Sequence, residues 1–366
     1  MKIGILTFHW ADNYGAVLQA YALTRWINKH TMVSAELVNY ICEEPAKIYK
    51  PFNFSYNGIK SYIRGTLRCI KNFPRWKKRH GKFVAFRKRI PLSKPISKKQ
   101  LLNASIDYDI WITGSDQVWN CDIAGEDIDI YDLSFVKKGM RTSYAASSGI
   151  LDQTNEKHKR LIEEIKNFDE ISVREKSTQQ FLKKYLNKEV CQVVDPTMLL
   201  NKKEWMKIIP ENRFYKKPYI LVYCIAYDEQ LVNTSLRMAE MLDLDIVVCG
   251  DIKELRHKAK SFYSVSPEEF LNLFYYSDFV IASSFHATVF SIIFQRQFIS
   301  ILPSYASNRV LDLCKIAGCS DRVITNVDQA INLVSKPIDY AQVKHNIEPI
   351  IEYSEKYLMK IIASIE

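Results

Sequence analysis

The stretch KIGILTFHWADNYGAVLQAYAL, Lys2 to Leu23, holds the pattern on which the fold turns. Its first seven residues are a short apolar run, which reads as a strand buried on both faces. A polar turn, HWADN, interrupts the run. From Gly15 the apolar residues recur at helical spacing through Trp26 and Ile27, which predicts an amphipathic helix ending near His30. SAELVNY then reads as a second strand. Strand, turn, helix and strand in this order make the βαβ unit of a parallel sheet.

The alternation continues. YDIWITG is a buried strand, QTNEKHKRLIEEIKNF a helix, EISV a strand and REKSTQQFLKKYL a helix again. CQVVDPTMLL closes the first half, with Asp195-Pro196 as a turn signal. A second series starts at KPYILVYCIAY and runs through the helix DEQLVNTSLRMAEML and the strand DIVVCG. SPEEFLNLFYYS carries a capping box, Ser266 with Glu269, and Pro267 in its first turn. The strand DFVIAS, a helix from about His286, the strand FISIL and a helix from about Ala306 follow. A long helical pattern from about Gln342 to Ser364 ends the chain. The expected architecture is α/β with two Rossmann-like doubly wound domains, residues 1–195 and 196–340, followed by a C-terminal helix over 341–366 that crosses back to the first. The cleft between two such domains is the default ligand site.

The 366 residues suit two domains better than one. No window offers the ~18 apolar residues of a membrane-spanning helix, and the N-terminal apolar run stops at Phe8 without a cleavage pattern. Eight cysteines are scattered with no C-x-x-C pair, several inside apolar strands, as free thiols of a cytoplasmic protein would be. The net charge of +10 is concentrated in an insert at about 45–105. No acidic residue occurs from Pro45 to Ser105. Lys60, Arg64, Arg68, Lys71, Arg75, Lys77, Lys78, Arg79, Lys82, Arg87, Lys88 and Arg89 crowd there among Tyr62, Leu67, Ile70, Phe73, Trp76, Phe83 and Phe86. A solvated basic helix face, an anionic membrane surface at the inner side of a plasma membrane, a polyanionic substrate, and nucleic acid all fit that composition. No nucleic-acid motif accompanies the charge, which argues against the last.

In open α/β sheets ligands bind beyond the carboxyl ends of the strands, so the residues just after each strand are the candidates. After the first strand, Asn13, Tyr14 and Gly15 form either a plain strand-to-helix turn or a nest of backbone N–H groups for an anion or a sugar oxygen. After YDIWI come Thr113, Ser115, Asp116, Gln117, Trp119 and Asn120, hydrogen-bonding groups beside an aromatic ring. They suit a sugar, or Asp116 simply caps a loop. Arg174 and Glu175 stand where a strand passes into a helix. An arginine there opposes the helix dipole unless an anion answers it. In SDFVIASSFHATVF, Ser277 to Phe290, Ser283, Ser284, His286 and Thr288 gather at another helix start, where free N–H groups favour phosphate or carboxylate. A histidine beside such an anion is suited to general-acid work, and equally to a packed structural role. Dinucleotide and P-loop fingerprints, the G-x-S-x-G elbow and zinc spacings are all missing.

Taken together, TFHWADNYGAVLQAYAL, WITGSDQVWN, YAASSG with ISVREKS and VVDPTMLL, and ASSFHATVFSIIF resemble the polysaccharide pyruvyl transferase family, in the family's order, over about residues 1–320. The resemblance implies a fold similar to GT-B glycosyltransferases. It also implies transfer of pyruvate from phosphoenolpyruvate, a co-substrate rather than a cofactor, to two hydroxyls of one sugar, with release of phosphate. The family's functional arginine falls on Arg174 and its histidine on His286. Many members carry Arg-Leu-His where this chain has Ser284-Phe285-His286, so Arg174 and Arg309, next to Asn308, would have to supply the donor's positive complement.

From this follow the expected roles. His286 is the acid and Asp116 the base. Arg174, Ser283, Ser284, Thr288, Asn308 and Arg309 hold the donor. Asn13, Tyr14, Gly15, Ser115, Gln117, Trp119 and Asn120 hold the acceptor, a sugar on a lipid-linked precursor of a surface polysaccharide. The chemistry calls for no metal. A GT-B glycosyltransferase using a nucleotide sugar, or a catalytically inert carbohydrate-binding protein, would be built from much the same residues.

Overall fold

The computed structural model describes residues 1–51, 59–103, 106–225, 227–302 and 309–364. The chain divides into two compact units. The first holds Met1–Leu199 and the chain from Glu352 onward, and the second is Leu200–Ile351.

In the first unit β1 (Lys2–Leu6) leads through α1 (Tyr14–His30) to β2 (Ser34–Leu37). A long helix, α2 (Ile59–Arg87), is followed by β3 (Ile110–Thr113) and β4 (Met140–Ser143). Then come α3 (Glu156–Ile165), β5 (Ile171–Val173), α4 (Lys176–Tyr185) and β6 (Val190–Gln192). The sheet order is β2-β1-β3-β4, all parallel, and the parallel pair β5-β6 joins it through bridges at Thr142–Glu170 and Ala146–Val173. Ile3, Ile5, Ile110, Ile112 and Val173 are fully buried, as strands covered on both faces require. The chain runs from β1 to β2 on one side and returns to β3 on the other. The switch point of this sheet therefore lies between β1 and β3.

The second unit has the order β12-β11-β10-β7-β8-β9, again parallel. It is built from β7 (Tyr219–Tyr223), α5 (Glu229–Leu242), β8 (Asp245–Cys249), β9 (Ala259–Phe262), α6 (Pro267–Tyr275) and β10 (Phe279–Ala282). It continues with α7 (Phe285–Ile293), β11 (Gln297–Ile301), α8 (Arg309–Ala317), β12 (Val323–Ile324) and α9 (Val327–Leu333). This is the dinucleotide-fold strand order, with its switch point between β7 and β10. The Ser266–Glu269 capping box forms as the sequence predicts. The last helix, α10 (Tyr340–Ala363), starts in the second unit and contributes its end to the first. There Ser354 Oγ accepts from the Val194 N–H (2.9 Å), the Tyr357 hydroxyl donates to the Ser143 carbonyl (3.0 Å), and Lys360 pairs with Glu170 (2.6 Å).

Candidate functional site

In the first unit the exits of β1 and β3 lie side by side, since Leu6 pairs with Thr113. Gly114 has φ of +114°, and a Cβ there would sit 2.3 Å from the Tyr144 carbonyl oxygen, so only glycine admits this turn. Thr7 Oγ1 donates to the Ser115 carbonyl (2.8 Å) and accepts from Gln19 Nε2 (2.8 Å). Gln19, which the sequence reading passed over, thus ties α1 to both strand ends. Asn13 caps α1, accepting from the Ala16 N–H. Asp116 accepts from the Gln117 N–H (2.9 Å), and Asn120 Nδ2 donates to Gln117 Oε1 (3.0 Å). Asn13, Asp116, Gln117 and Asn120 all stay partly exposed. These four are the accessible polar groups at this edge.

Other sequence-predicted residues prove to be framework. Trp119 is completely buried, its ring edge-on to Phe168 and its Nε1–H donating to the Tyr131 carbonyl (3.2 Å). It is therefore core, not a platform for a sugar ring. Ser115 is also fully buried, and its hydroxyl bonds to the Ala145 carbonyl and to Asp195. Tyr14 and Gly15 are buried in α1, Tyr14 against Phe83 and beneath Arg79.

Arg174 lies in the first unit, as the expected boundary at residue 195 implies. Its guanidinium is buried and pairs with Asp195 (2.8 Å) and Glu175 (3.3 Å), while Glu175 accepts from the Ser147 hydroxyl (2.6 Å). Asp195 further accepts from the Thr197 N–H and hydroxyl. Burial by itself lowers the Arg174 pKa, but Glu175, Asp195 and Asp116 outweigh it and the pKa rises. The helix begins only at Lys176, with Glu175 as its N-cap. The anion that answers this arginine is the protein's own pair of carboxylates.

The turn after β1 is held from outside by α2. Arg87 donates to the carbonyls of His9 (2.9 Å) and Trp10 (2.7 Å) and pairs with Asp12 (2.6 Å), while Arg79 donates to the Asp12 carbonyl (2.8 Å). Two of the basic residues grouped with the insert are thus turned inward. His9 is buried with Nδ1 3.1 Å from the Thr7 carbonyl, and burial takes its pKa down to about 4.

In the second unit Ser283, Ser284 and His286 follow β10, directly at the switch point. Ser284 is the N-cap of α7, and its own hydroxyl makes no capping bond to the helix. His286 stands in the first turn of α7, nine-tenths buried, edge-on to Phe285. Ser283, partly buried, lends its backbone N–H to the Tyr223 carbonyl (3.2 Å). Thr288 is a correction: its buried hydroxyl bonds to the Ser284 carbonyl (3.2 Å) and to the Ser300 hydroxyl (2.7 Å), inside the unit. Arg309, partly buried, begins α8 after the neighbouring strand β11. Asn308 lies outside the described residues. Among the described residues the buried carboxylates, Asp12, Asp132, Glu175 and Asp195, all belong to the first unit.

Two doubly wound parallel sheets with polar groups at their switch points define a GT-B-like α/β protein. The UDP-N-acetylglucosamine 2-epimerase from Rickettsia bellii is similar in fold, with a TM-score of 0.56 and 11% identity over 99% of this chain and 96% of that one. The UDP-GlcNAc 2-epimerase from Methanocaldococcus jannaschii has a TM-score of 0.50 and 13% identity over 96% and 100%. No curated protein matches the sequence. The sequence profile of the polysaccharide pyruvyl transferase family matches residues 13–305, and the chain belongs to that family.

Proposed function

We propose that the chain transfers the pyruvyl group of phosphoenolpyruvate to two hydroxyls of one sugar, forming a cyclic ketal during surface polysaccharide assembly. The observation that carries the donor assignment is the contrast in buried charge. Phosphoenolpyruvate brings roughly three negative charges, and such an anion is favoured by helix N–H groups and cations and opposed by buried carboxylates. The edge at Ser284 and His286 lies at a helix start, and among the described residues its unit holds no buried carboxylate. The edge at Arg174 already carries its own two.

In this reading His286 protonates the methylene carbon of the donor. C2 becomes electrophilic and the first sugar oxygen bonds to it. The second oxygen then displaces phosphate, and the two hydroxyl protons end on the new methyl group and on the phosphate. Asp116, partly exposed, takes a proton from a sugar hydroxyl. Ser283, Ser284 and Arg309 hold the donor, and Asn13, Gln117 and Asn120 meet the acceptor. Arg174 acts as a positioning residue through Asp195 and Glu175.

Isothermal titration of the whole chain with phosphoenolpyruvate and, separately, with UDP-N-acetylglucosamine tests the donor. Binding of the first alone is expected, and binding of the nucleotide sugar alone overturns the proposal in favour of a glycosyltransferase. With an acceptor in hand, His286→Ala should cut phosphate release by ~10²–10⁴-fold, the usual worth of a positioned acid. Phosphate release at the parent rate removes His286 from the mechanism.

A further inference from the structure

We propose that the first half of α2 is a docking surface for an anionic lipid bilayer. The second half of this helix is anchored in the first unit through buried Phe83 and Phe86 and the inward Arg79 and Arg87. The first half carries a row of exposed apolar side chains: Ile63 is 51% exposed, Leu67 61% and Ile70 57%. At 100° per residue these three share an arc of about 60°. Arg64, Arg68 and Lys71, all exposed, occupy another arc of about 60°, centred about 100° further round. A helix lying in a membrane interface has this cross-section, with aliphatic groups sunk toward the acyl chains and cations level with the headgroups.

The charge pattern selects the occupant. From Pro45 to Ser105 the chain has no acidic residue, so nothing on the segment offsets the attraction of a negative surface. A second copy of the chain would bring the same uncompensated cations and be repelled. A nucleic acid would use the cations and leave the aliphatic row in water, where three large side chains gain nothing. A negatively charged bilayer satisfies both arcs at once. The inference stands on this helix alone and is independent of the donor assignment.

The test is flotation of the whole chain with vesicles of phosphatidylcholine, with and without phosphatidylglycerol, at low and high salt. Strong binding to the anionic vesicles alone is expected, weakening as salt screens it. The triple variant Arg64→Gln, Arg68→Gln, Lys71→Gln should lose roughly a hundredfold in partitioning, about fivefold for each cation. The variant Ile63→Gln, Leu67→Gln, Ile70→Gln should lose at least tenfold. Glutamine is a good helix former and all six positions are exposed, so both variants should melt at the parent temperature. Equal binding to neutral vesicles overturns the proposal. So does undiminished binding of the aliphatic variant, which would mark a purely electrostatic site of the nucleic-acid kind. A lipid-free dimer that the aliphatic variant dissociates would assign the surface to a second copy instead.

Discussion

The two sheets end in the same kind of edge and furnish it in opposite ways. At the carboxyl edge of the first, Arg174 is closed between Asp195 and Glu175, and Ser115, Ser147 and Thr197 spend their hydroxyls on those carboxylates. At the carboxyl edge of the second, Ser284 opens a helix without a capping bond from its own hydroxyl and His286 stands beside it, and among the described residues that unit has no buried carboxylate. One edge has answered its own charge. The other sets a helix start and a histidine where no buried carboxylate is described. An ion network of the first kind gives rigidity to the ends of strands that must hold Asp116 and Asn13 in place. An edge of the second kind is the better receptor for an anion.

The sharpest way to break the comparison is to remove the arginine. Arg174→Met strands two buried carboxylates, which costs about 3–5 kcal/mol, whereas His286→Gln should cost about 1 kcal/mol, the ordinary toll of a substitution. Urea midpoints at neutral pH measure both. If Arg174→Met were as stable as the parent while phosphoenolpyruvate binding vanished, the two edges would have to exchange roles.

Next in size is a pH effect confined to the first unit. His9 has its pKa lowered by burial to about 4, against about 6.5 in the unfolded chain. Between those values the unfolded chain holds a proton the folded one lacks, so stability falls as pH drops through this window. The loss is about 2 kcal/mol by pH 5 and about 3 by pH 4. Asp132 works in the opposite sense. Burial raises its pKa to about 6, although the Ser134 N–H bonded to it pulls the other way. The folded state therefore holds the extra proton, and acid favours it. In the parent the two nearly cancel, and His9→Gln should uncover a chain that gains stability on acidification from pH 6.5. Parallel midpoints for parent and variant between pH 7 and 5 would show the difference, and parallel curves would mean His9 takes up its proton without unfolding.

Much of this architecture is readable from residue order because parallel strands buried on both faces are written as unbroken apolar runs, as in Ile220–Val222 and Phe279–Ala282. β9, AKSF, was missed for the same reason: as an edge strand it has no such run. The capping box at Ser266 is local chemistry and was legible; the ion cluster is not local. Asp195 reads as a turn residue before Pro196, and nothing within a few positions says that it receives a guanidinium 21 residues upstream. Arg174 did announce itself, by standing against a helix start, but the sequence does not tell whether the answering anion is a ligand or the protein. Trp119 misled because polar neighbours suggest exposure, while burial depends on Phe168 and Tyr131 arriving from elsewhere in the chain.

Trp119 supplies the smallest and most discriminating test of the first edge. Trp119→Phe keeps an aromatic ring in the core and loses the bond from Nε1 to the Tyr131 carbonyl, a change worth about 1 kcal/mol. A sugar platform would respond differently, because stacking affinity would change while the fold stayed as it was. Acceptor KM and thermal midpoint measured on the same variant separate the two. A lowered midpoint with unchanged KM leaves acceptor contact to Asn13, Asp116, Gln117 and Asn120. A raised KM at the parent midpoint would return Trp119 to the binding surface and open the edge that its burial closes.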